Sequence, residues 1–224
     1  MENTILLLQS GGRDSAAAAV ELLELGKTVI GVTLSADAFN KIAIPKQRAV
    51  ELAMKYKFYQ WHMIDFTQWD RLFKESVESQ ISSELPKSCL LCSLSKITAM
   101  IPYCKERNIT QVAMGYTEYQ STWAEQTPLA IELQRSFLQE LGIDFILPVQ
   151  KYKNKDGIKD FLTVRDLTPV SLENPCCISR WGTQVVSEVL IQETIEKSFN
   201  YLLNNVPKIE IIESVGTQET LVCP

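Results

Sequence analysis

The stretch that most constrains the fold is residues 4–34, "TILLLQSGGRDSAAAAVELLELGKTVIGVTL". Residues 4–9 form an apolar run of strand length, and from Ser15 to Leu25 apolar residues recur at helical spacing. Gly26 is typical of a helix C-terminus, and the β-branched run from Lys27 to Leu34 follows it. The stretch therefore predicts a strand, a glycine turn, a helix and a second strand.

This alternation continues along the chain, with further strands predicted in "QWHMIDF", "TQVAMGY" and "DFILPV" and helices between them. Short apolar strands that alternate with helices predict an α/β fold: a doubly wound, mostly parallel five-stranded sheet with helices on both faces. We expect one domain over residues 1–150 and a C-terminal extension over residues 151–206 that packs on the same domain. Residues 207–224 are interpreted as a tail that either adds a strand or remains loose.

Composition limits the choice of partners. The formal net charge is -5 at pH 7, so the chain lacks the overall basic character of most nucleic-acid-binding domains, and any RNA contact needs a local patch. The lysines between Lys151 and Lys159 are interleaved with Asp156, which favours a solvated loop. No apolar run approaches the length of a membrane span, and no signal peptide is apparent, so we expect no membrane contact and a cytoplasmic location. The six cysteines are then interpreted as thiols or metal ligands before disulfides.

The glycine turn "SGGRDS", residues 10–15, lies where a doubly wound sheet binds its ligand, after the first strand. Gly11 and Gly12 leave room for a phosphate, and the helix that follows presents backbone N–H groups at its positive end. Ser10 and Ser15 can donate hydroxyl hydrogen bonds, and Asp14 can cap the helix. An isolated "SGG" would favour a plain tight turn, but the full pattern in this position favours phosphate binding.

With these residues the chain resembles the PP-loop ATP pyrophosphatase superfamily, whose signature is Ser-Gly-Gly-x-Asp-Ser after the first strand. The resemblance spans residues 4 to about 150 and implies a PP-loop ATP-binding domain of Rossmann-like fold that uses ATP with Mg²⁺ and adenylates its substrate. The resemblance implies that the residues of the loop contact the phosphates: Ser10, Gly11, Gly12, Arg13, Asp14 and Ser15. Asp14 is also the catalytic candidate of this loop. We add Leu34 and Gly115 as further nucleotide contacts.

Four cysteines form two further motifs. Cys89 and Cys92 make a C-x-x-C pair near the start of a helix, and "NPCCIS" places Cys176 and Cys177 far downstream. A helix N-terminus favours the thiolate, which helps both nucleophilicity and metal binding. Four thiolates would suit structural Zn²⁺, and three with an open position would suit an iron–sulfur cluster. Four small buried residues without a shared role are the remaining interpretation.

The order of "CLLCSLSK", a helix, "TQVAMGY" and a late Pro-Cys motif is similar to iron–sulfur-dependent tRNA 2-thiocytidine synthetases. That resemblance implies a [4Fe-4S] cluster held by Cys89, Cys92 and either Cys176 or Cys177, with the last two also as catalytic candidates. The chain departs from the pattern after the fourth strand. It has "GYTEYQ" where many thiolating enzymes have Gly-His, so Tyr116 replaces a histidine.

The sequence thus predicts an ATP-dependent sulfur transferase that activates a carbonyl oxygen and replaces it with sulfur. Its expected partners are ATP, a sulfur donor and an acceptor that is either tRNA or a small molecule, and a homodimer is left open. Three alternatives remain: an enzyme similar to 7-cyano-7-deazaguanine synthase with structural Zn²⁺, a small-molecule sulfur donor enzyme similar to those that build the nickel-pincer cofactor, and a non-catalytic nucleotide-binding subunit.

Overall fold

A computed structural model describes residues 3–36, 43–82, 89–173 and 185–216. Strands and helices alternate over most of this range. The elements, in chain order, are β1 (Thr4–Leu8), α1 (Arg13–Glu24), β2 (Thr28–Ser35), α2 (Ala43–Lys55), β3 (Tyr59–Asp65), α3 (Thr67–Glu78), α4 (Leu90–Glu106), β4 (Gln111–Met114), α5 (Pro128–Glu140), β5 (Asp144–Ile146), α6 (Lys155–Thr163), α7 (Glu188–Asn204) and β6 (Glu210–Val215). Two short 3₁₀ helices, Glu118–Gln120 and Ala124–Gln126, lie between β4 and α5.

The strands form one mixed sheet in the order β5-β4-β1-β2-β3-β6. The first five are parallel to their neighbours, and β6 pairs antiparallel with β3. The doubly wound α/β prediction is confirmed. Among the described residues the sheet has six strands where five were expected, because part of the predicted tail covers the edge of β3 that would otherwise be exposed.

Helices cover both faces of the sheet. Alternate residues of each central strand point to opposite sides, as Leu6 and Leu7 of β1 illustrate, and they enter two separate apolar clusters. One cluster is built with α3, α4, α5 and α7, and the other with α1, α2 and α6. Strands buried on both faces explain the near-continuous apolar runs in the sequence.

Helix α6 is an element that the sequence analysis did not predict. Asn154 caps it by accepting a hydrogen bond from the Gly157 N–H, and only Ile158 and Leu162 of its nine residues are buried. Such a short, mostly polar stretch is typical of a loop, which is why the sequence does not predict this helix. Helix α6 packs on α1, and α7 packs on α3, α4 and α5. The boundary at residue 150 between the ATP-binding domain and its C-terminal extension remains a prediction. Within the described ranges no helix combines the length and apolarity needed to span a bilayer.

Candidate functional site

The strand order places the position where α/β sheets bind their ligands, here called the crevice, between the carboxyl ends of β1 and β4. Chain connections run to opposite sides of the sheet from these two neighbouring strands, which makes their carboxyl ends the topological switch point. The SGGRDS loop follows β1 and leads directly into α1, whose N-cap is Gly12. Gly115 follows β4 on the other side of the crevice. Two of the predicted nucleotide-binding segments therefore meet where an α/β sheet binds its ligand.

Hydrogen bonds within the SGGRDS loop hold it in a tight turn. The Gly12 N–H donates to Ser10 Oγ at 3.1 Å, and the Ser15 hydroxyl donates to the Gly12 carbonyl at 3.1 Å. The two serine hydroxyls lie 3.4 Å apart. The first N–H groups of α1 have no acceptor within the helix, so this turn presents donors at the positive end of the helix dipole.

Glycine is sterically required at two places in this crevice. Gly11 has a φ of +88°, a left-handed conformation that other residues rarely adopt. Gly115 instead lies against the start of α1, where a Cβ would come 2.7 Å from the Ser15 nitrogen and 2.8 Å from the Asp14 carbonyl carbon. The missing side chain of Gly115 thus lets the loop after β4 lie directly against the first turn of α1.

Asp14 brings a carboxylate to the same turn. Burial raises the pKa of Asp14, the Tyr119 hydroxyl and Arg13 oppose the rise, and the Glu173 carboxylate adds to it. Arg13 Nε lies 4.0 Å from Asp14 Oδ1, and both side chains are largely buried. A partly desolvated carboxylate beside a glycine cradle fits the oxygen ligands that Mg²⁺ prefers when it accompanies a nucleotide.

Leu34 occupies the carboxyl half of β2, paired with Ile64 of β3, and it is 6% exposed within the apolar core. Its side chain therefore packs in the apolar core. Its assignment as a nucleotide contact remains a prediction, as do those of the other predicted site residues.

The C-x-x-C pair lies at the start of α4. Cys89 is the N-cap residue and Cys92 lies in the first turn, and both are half-buried. Lys96, one turn further, hydrogen-bonds Cys92. Cys92 raises the pKa of the Lys96 ammonium against the effect of burial, and Cys89 and Asp70 act in the same direction. A positively charged group therefore lies beside the C-x-x-C pair.

The pair would need further ligands to hold a metal. Cys176 and Cys177, the predicted remaining ligands and catalytic candidates, lie outside the described residues. In the ranges that the structure covers, no group of three histidine, cysteine or acidic side chains is placed to bind a metal ion. The chemistry of Cys89 and Cys92 fits two ligands of a zinc site or of an iron–sulfur cluster, and the completion of either site remains a prediction.

Tyr116 connects the glycine cradle to the cysteine turn. Tyr116 follows Gly115 directly in the chain, and its hydroxyl lies 2.5 Å from Ser93 Oγ. Ser93 is the residue after Cys92 in α4. The Tyr116 hydroxyl also donates to Gln134 Oε1 of α5 at 3.4 Å. Tyr116 is 5% exposed, and burial raises its pKa. In this chain the residue in place of the histidine is thus a buried link between the two motifs.

Glu125 is a buried carboxyl that the sequence analysis missed. It lies in the second 3₁₀ helix at 3% exposure, and burial raises its pKa to about 7, with Lys96 opposing the rise. Among the described residues Glu125 Oε2 has no hydrogen-bond partner. The local sequence "TWAEQTP" reads as a polar loop and gives no signal of this burial, which depends on packing against α4 and α5.

Sequence comparison identifies relatives that modify tRNA. The chain is 30% identical over 128 residues to the tRNA-specific 2-thiouridylase MnmA of Rickettsia prowazekii (strain Madrid E), an overlap that covers 50% of this chain and 35% of the relative. It is 29% identical over 130 residues to the same enzyme of Rickettsia felis (strain ATCC VR-1525 / URRWXCal2), covering 51% and 34%. The chain thus spans about a third of the length of these relatives. No protein-family model matches the chain.

Structure comparison supports the fold assignment. A 4-thiouridine synthetase in complex with RNA and bound ATP superposes with a TM-score of 0.61 at 16% identity, covering 95% of this chain and 56% of that chain. NMN synthetase from Francisella tularensis superposes with a TM-score of 0.51 at 17% identity, covering 91% and 84%. At these identities the two structures share the fold with this chain.

Proposed function

We propose that this chain is a member of the PP-loop ATP pyrophosphatase superfamily that uses Mg²⁺ and ATP to transfer sulfur to an RNA acceptor. The predicted resemblance at the level of the superfamily is confirmed, while the identity of the acceptor is left open and the use of a metal cluster stays a prediction. The observation that carries the proposal is the Gly115-Tyr116 dipeptide. Gly115 contacts the phosphate loop, and Tyr116 contacts the cysteine turn, so activation and sulfur delivery would take place in neighbouring parts of one crevice.

The activation step would use the cradle after β1. Gly11 and Gly12 admit the phosphates to the N-terminus of α1, the serine hydroxyls of the loop donate hydrogen bonds, and Asp14 is placed to hold the accompanying Mg²⁺. Arg13 adds a positive charge. An acceptor carbonyl oxygen attacks the α-phosphate, pyrophosphate leaves, and the oxygen becomes part of a good leaving group, AMP.

The sulfur step would use the cysteine turn. Cys89 and Cys92, with Cys176 or Cys177 or both, would bind a [4Fe-4S] cluster or Zn²⁺. Bound there, an iron–sulfur cluster would supply an open iron that accepts inorganic sulfide. Attack of sulfur on the activated carbon expels AMP and leaves a thiocarbonyl. Lys96 contributes a positive charge beside the sulfurs throughout.

Support for an RNA acceptor comes from the relatives, because the 2-thiouridylase is tRNA-specific and the 4-thiouridine synthetase structure is an RNA complex. The chain itself carries a net charge of -5, and the lysines of residues 151–159 are neutralised in part by carboxylates: Lys151 pairs with Glu21 and Lys159 with Asp156. A small-molecule acceptor therefore remains the competing proposal. A partner chain or a further domain would supply an RNA-binding surface.

Sulfur incorporation tests this proposal. Anaerobically purified protein is incubated with Mg²⁺, ATP, unmodified tRNA and radiolabelled inorganic sulfide, and label in the tRNA is counted after digestion to nucleosides. We expect ATP-dependent incorporation that Cys92→Ala abolishes. Cys104→Ala is the matched control, because Cys104 is fully buried in the same helix, with a pKa raised to about 12 by burial. Incorporation by Cys92→Ala at the wild-type rate would contradict the role of the pair, and ATP binding without any turnover would favour a non-catalytic nucleotide-binding subunit.

A further inference from the structure

The segment of residues 168–173, here called the strap, lies directly on the SGGRDS loop. The Leu172 N–H donates to the Gly11 carbonyl at 3.0 Å. A Cβ on Gly11 would come within 2.1 Å of the Leu172 carbonyl oxygen, so the two backbones leave no space between them. The strap therefore covers part of the loop that is proposed to bind phosphates.

The last residue of the strap brings a carboxylate into this loop. A Cβ added to Gly12 would lie 2.8 Å from Glu173 Oε2. The negative charge of Glu173 also contributes to the raised pKa of Asp14. The N-terminus of α1 attracts anions, and a carboxylate at this point takes the position that a phosphate oxygen of a nucleotide would need. Glu173 as a whole is exposed, so its carboxylate can leave toward solvent without disturbing the core.

The other end of the strap is clamped by α2. The Arg48 side chain is fully buried, and its Nη2 donates to the Thr168 carbonyl at 2.9 Å and to the Val170 carbonyl at 2.7 Å. Glu51 pairs with Arg48 and accepts from the Thr168 N–H at 2.5 Å. Burial and these charged hydrogen bonds fix the strap up to residue 170. Its far end is held by the hydrogen bond that the Leu172 N–H donates to the Gly11 carbonyl.

We propose that Glu173 is an internal competitor for the phosphate position, so that ATP binds only after residues 171–173 lift from the SGGRDS loop while the Arg48 clamp keeps the base of the strap in place. This inference rests on the proposed ATP site. The ligand class that displaces Glu173 is a polyphosphate anion with Mg²⁺, because such a ligand offers more negative charge to the same donors. The open fraction of the strap then scales the apparent affinity for ATP.

Equilibrium dialysis with radiolabelled Mg²⁺-ATP measures this competition. Glu173→Gln keeps the shape of the side chain and removes its charge, and we expect it to bind ATP about two- to fivefold more tightly than the wild type, the range expected for one exposed anion at a helix N-terminus. Asp156→Asn is the matched control. Asp156 is an exposed carboxylate whose charge reaches Arg13 of the same loop, but its side chain pairs with Lys159. Its removal should leave the affinity within about twofold.

Hydrogen exchange at the Leu172 amide supplies a second readout in the wild-type protein. Saturating Mg²⁺-ATP should accelerate exchange at this amide by breaking its bond to the Gly11 carbonyl, whereas the Thr168 amide, held by Glu51, should stay protected. Tighter binding by Glu173→Gln together with faster exchange at Leu172 supports the proposal. The proposal is overturned if wild type and Glu173→Gln bind ATP with equal affinity, if Asp156→Asn gains as much affinity as Glu173→Gln, or if exchange at Leu172 does not change. Each of these results leaves the proposed ATP site standing. Failure of both wild type and Glu173→Gln to bind ATP overturns the inference and the proposed function together.

Discussion

Replacement of Gly115 by alanine is the sharpest perturbation of the proposed ATP site. The added Cβ would lie 2.7 Å from the Ser15 nitrogen, 2.8 Å from the Asp14 carbonyl carbon and 2.9 Å from the Ser15 Cα. All three atoms belong to the backbone of the first turn of α1, so no side-chain rotation relieves the contact. The loop after β4 and the start of α1 must move apart.

The size of the effect follows from these distances. Ordinary contact begins at 3.4 Å, so the two segments must separate by roughly 0.5–0.7 Å. Overpacking of this kind costs about 1–3 kcal/mol, which lowers the melting temperature of a chain of this size by about 3–9 °C. Because a misplacement of about 1 Å can lower a catalytic rate by about two orders of magnitude, we expect a displacement of about half that size to lower ATP affinity by about tenfold.

Thermal unfolding and equilibrium dialysis with Mg²⁺-ATP measure the two effects of Gly115→Ala. Gly142→Ala separates them. Gly142 ends α5 with a φ of +75° and no atom within 4 Å of an added Cβ, so alanine there costs about 1–2 kcal/mol through backbone strain alone. We expect Gly142→Ala to lose stability but to keep its ATP affinity. Wild-type affinity in Gly115→Ala would refute the proposal that this close approach shapes the nucleotide site.

Two further substitutions test buried ionisable groups. Arg48→Met removes a buried guanidinium and leaves Glu51 without its cation, so we expect the free energy of unfolding in urea to fall by about 3 kcal/mol, and a loss below about 1 kcal/mol would contradict this. Burial raises the pKa of Glu125 to about 7 in the folded protein, from 4.5 in the unfolded chain. Between these two pH values Glu125 is deprotonated in the unfolded chain but still protonated in the folded protein, so the stability of the wild type falls as the pH rises. Glu125→Gln should therefore gain stability relative to wild type between pH 5 and pH 8, by up to ~3 kcal/mol, and an equal difference at both pH values would contradict the buried neutral carboxyl.

The parallel part of the fold was predictable because its signals are local. Each central strand is an apolar run, and Gly26 and Gly142 end α1 and α5 with positive φ. The glycine turn was placed correctly at the switch point because the order of elements dictates where the first strand ends. The first 3₁₀ helix, α6 and the pairing of β6 lacked such signals, since short polar segments acquire structure only from the packing partners that surround them.

The contacts that define the candidate site could not be read from the sequence. Tyr116 and Ser93 are 23 residues apart, and only packing of α4 against the sheet brings their hydroxyls together. The approach of Glu173 to Gly12 depends on the buried Arg48 clamp, which joins segments more than a hundred residues apart. Residue types predicted the chemistry of each motif, but tertiary packing decides which motifs share a crevice.

The products of ATP turnover test the central claim most directly. With Mg²⁺, ATP, sulfide and unmodified tRNA, we expect AMP, pyrophosphate and thiolated nucleoside in equal amounts. Asp14→Asn should lose all three products together, while Asp144→Asn, an exposed carboxylate at the start of β5, should retain them. Formation of ADP and phosphate, or AMP release that does not depend on Asp14, would contradict an adenylating sulfur transferase built on this loop.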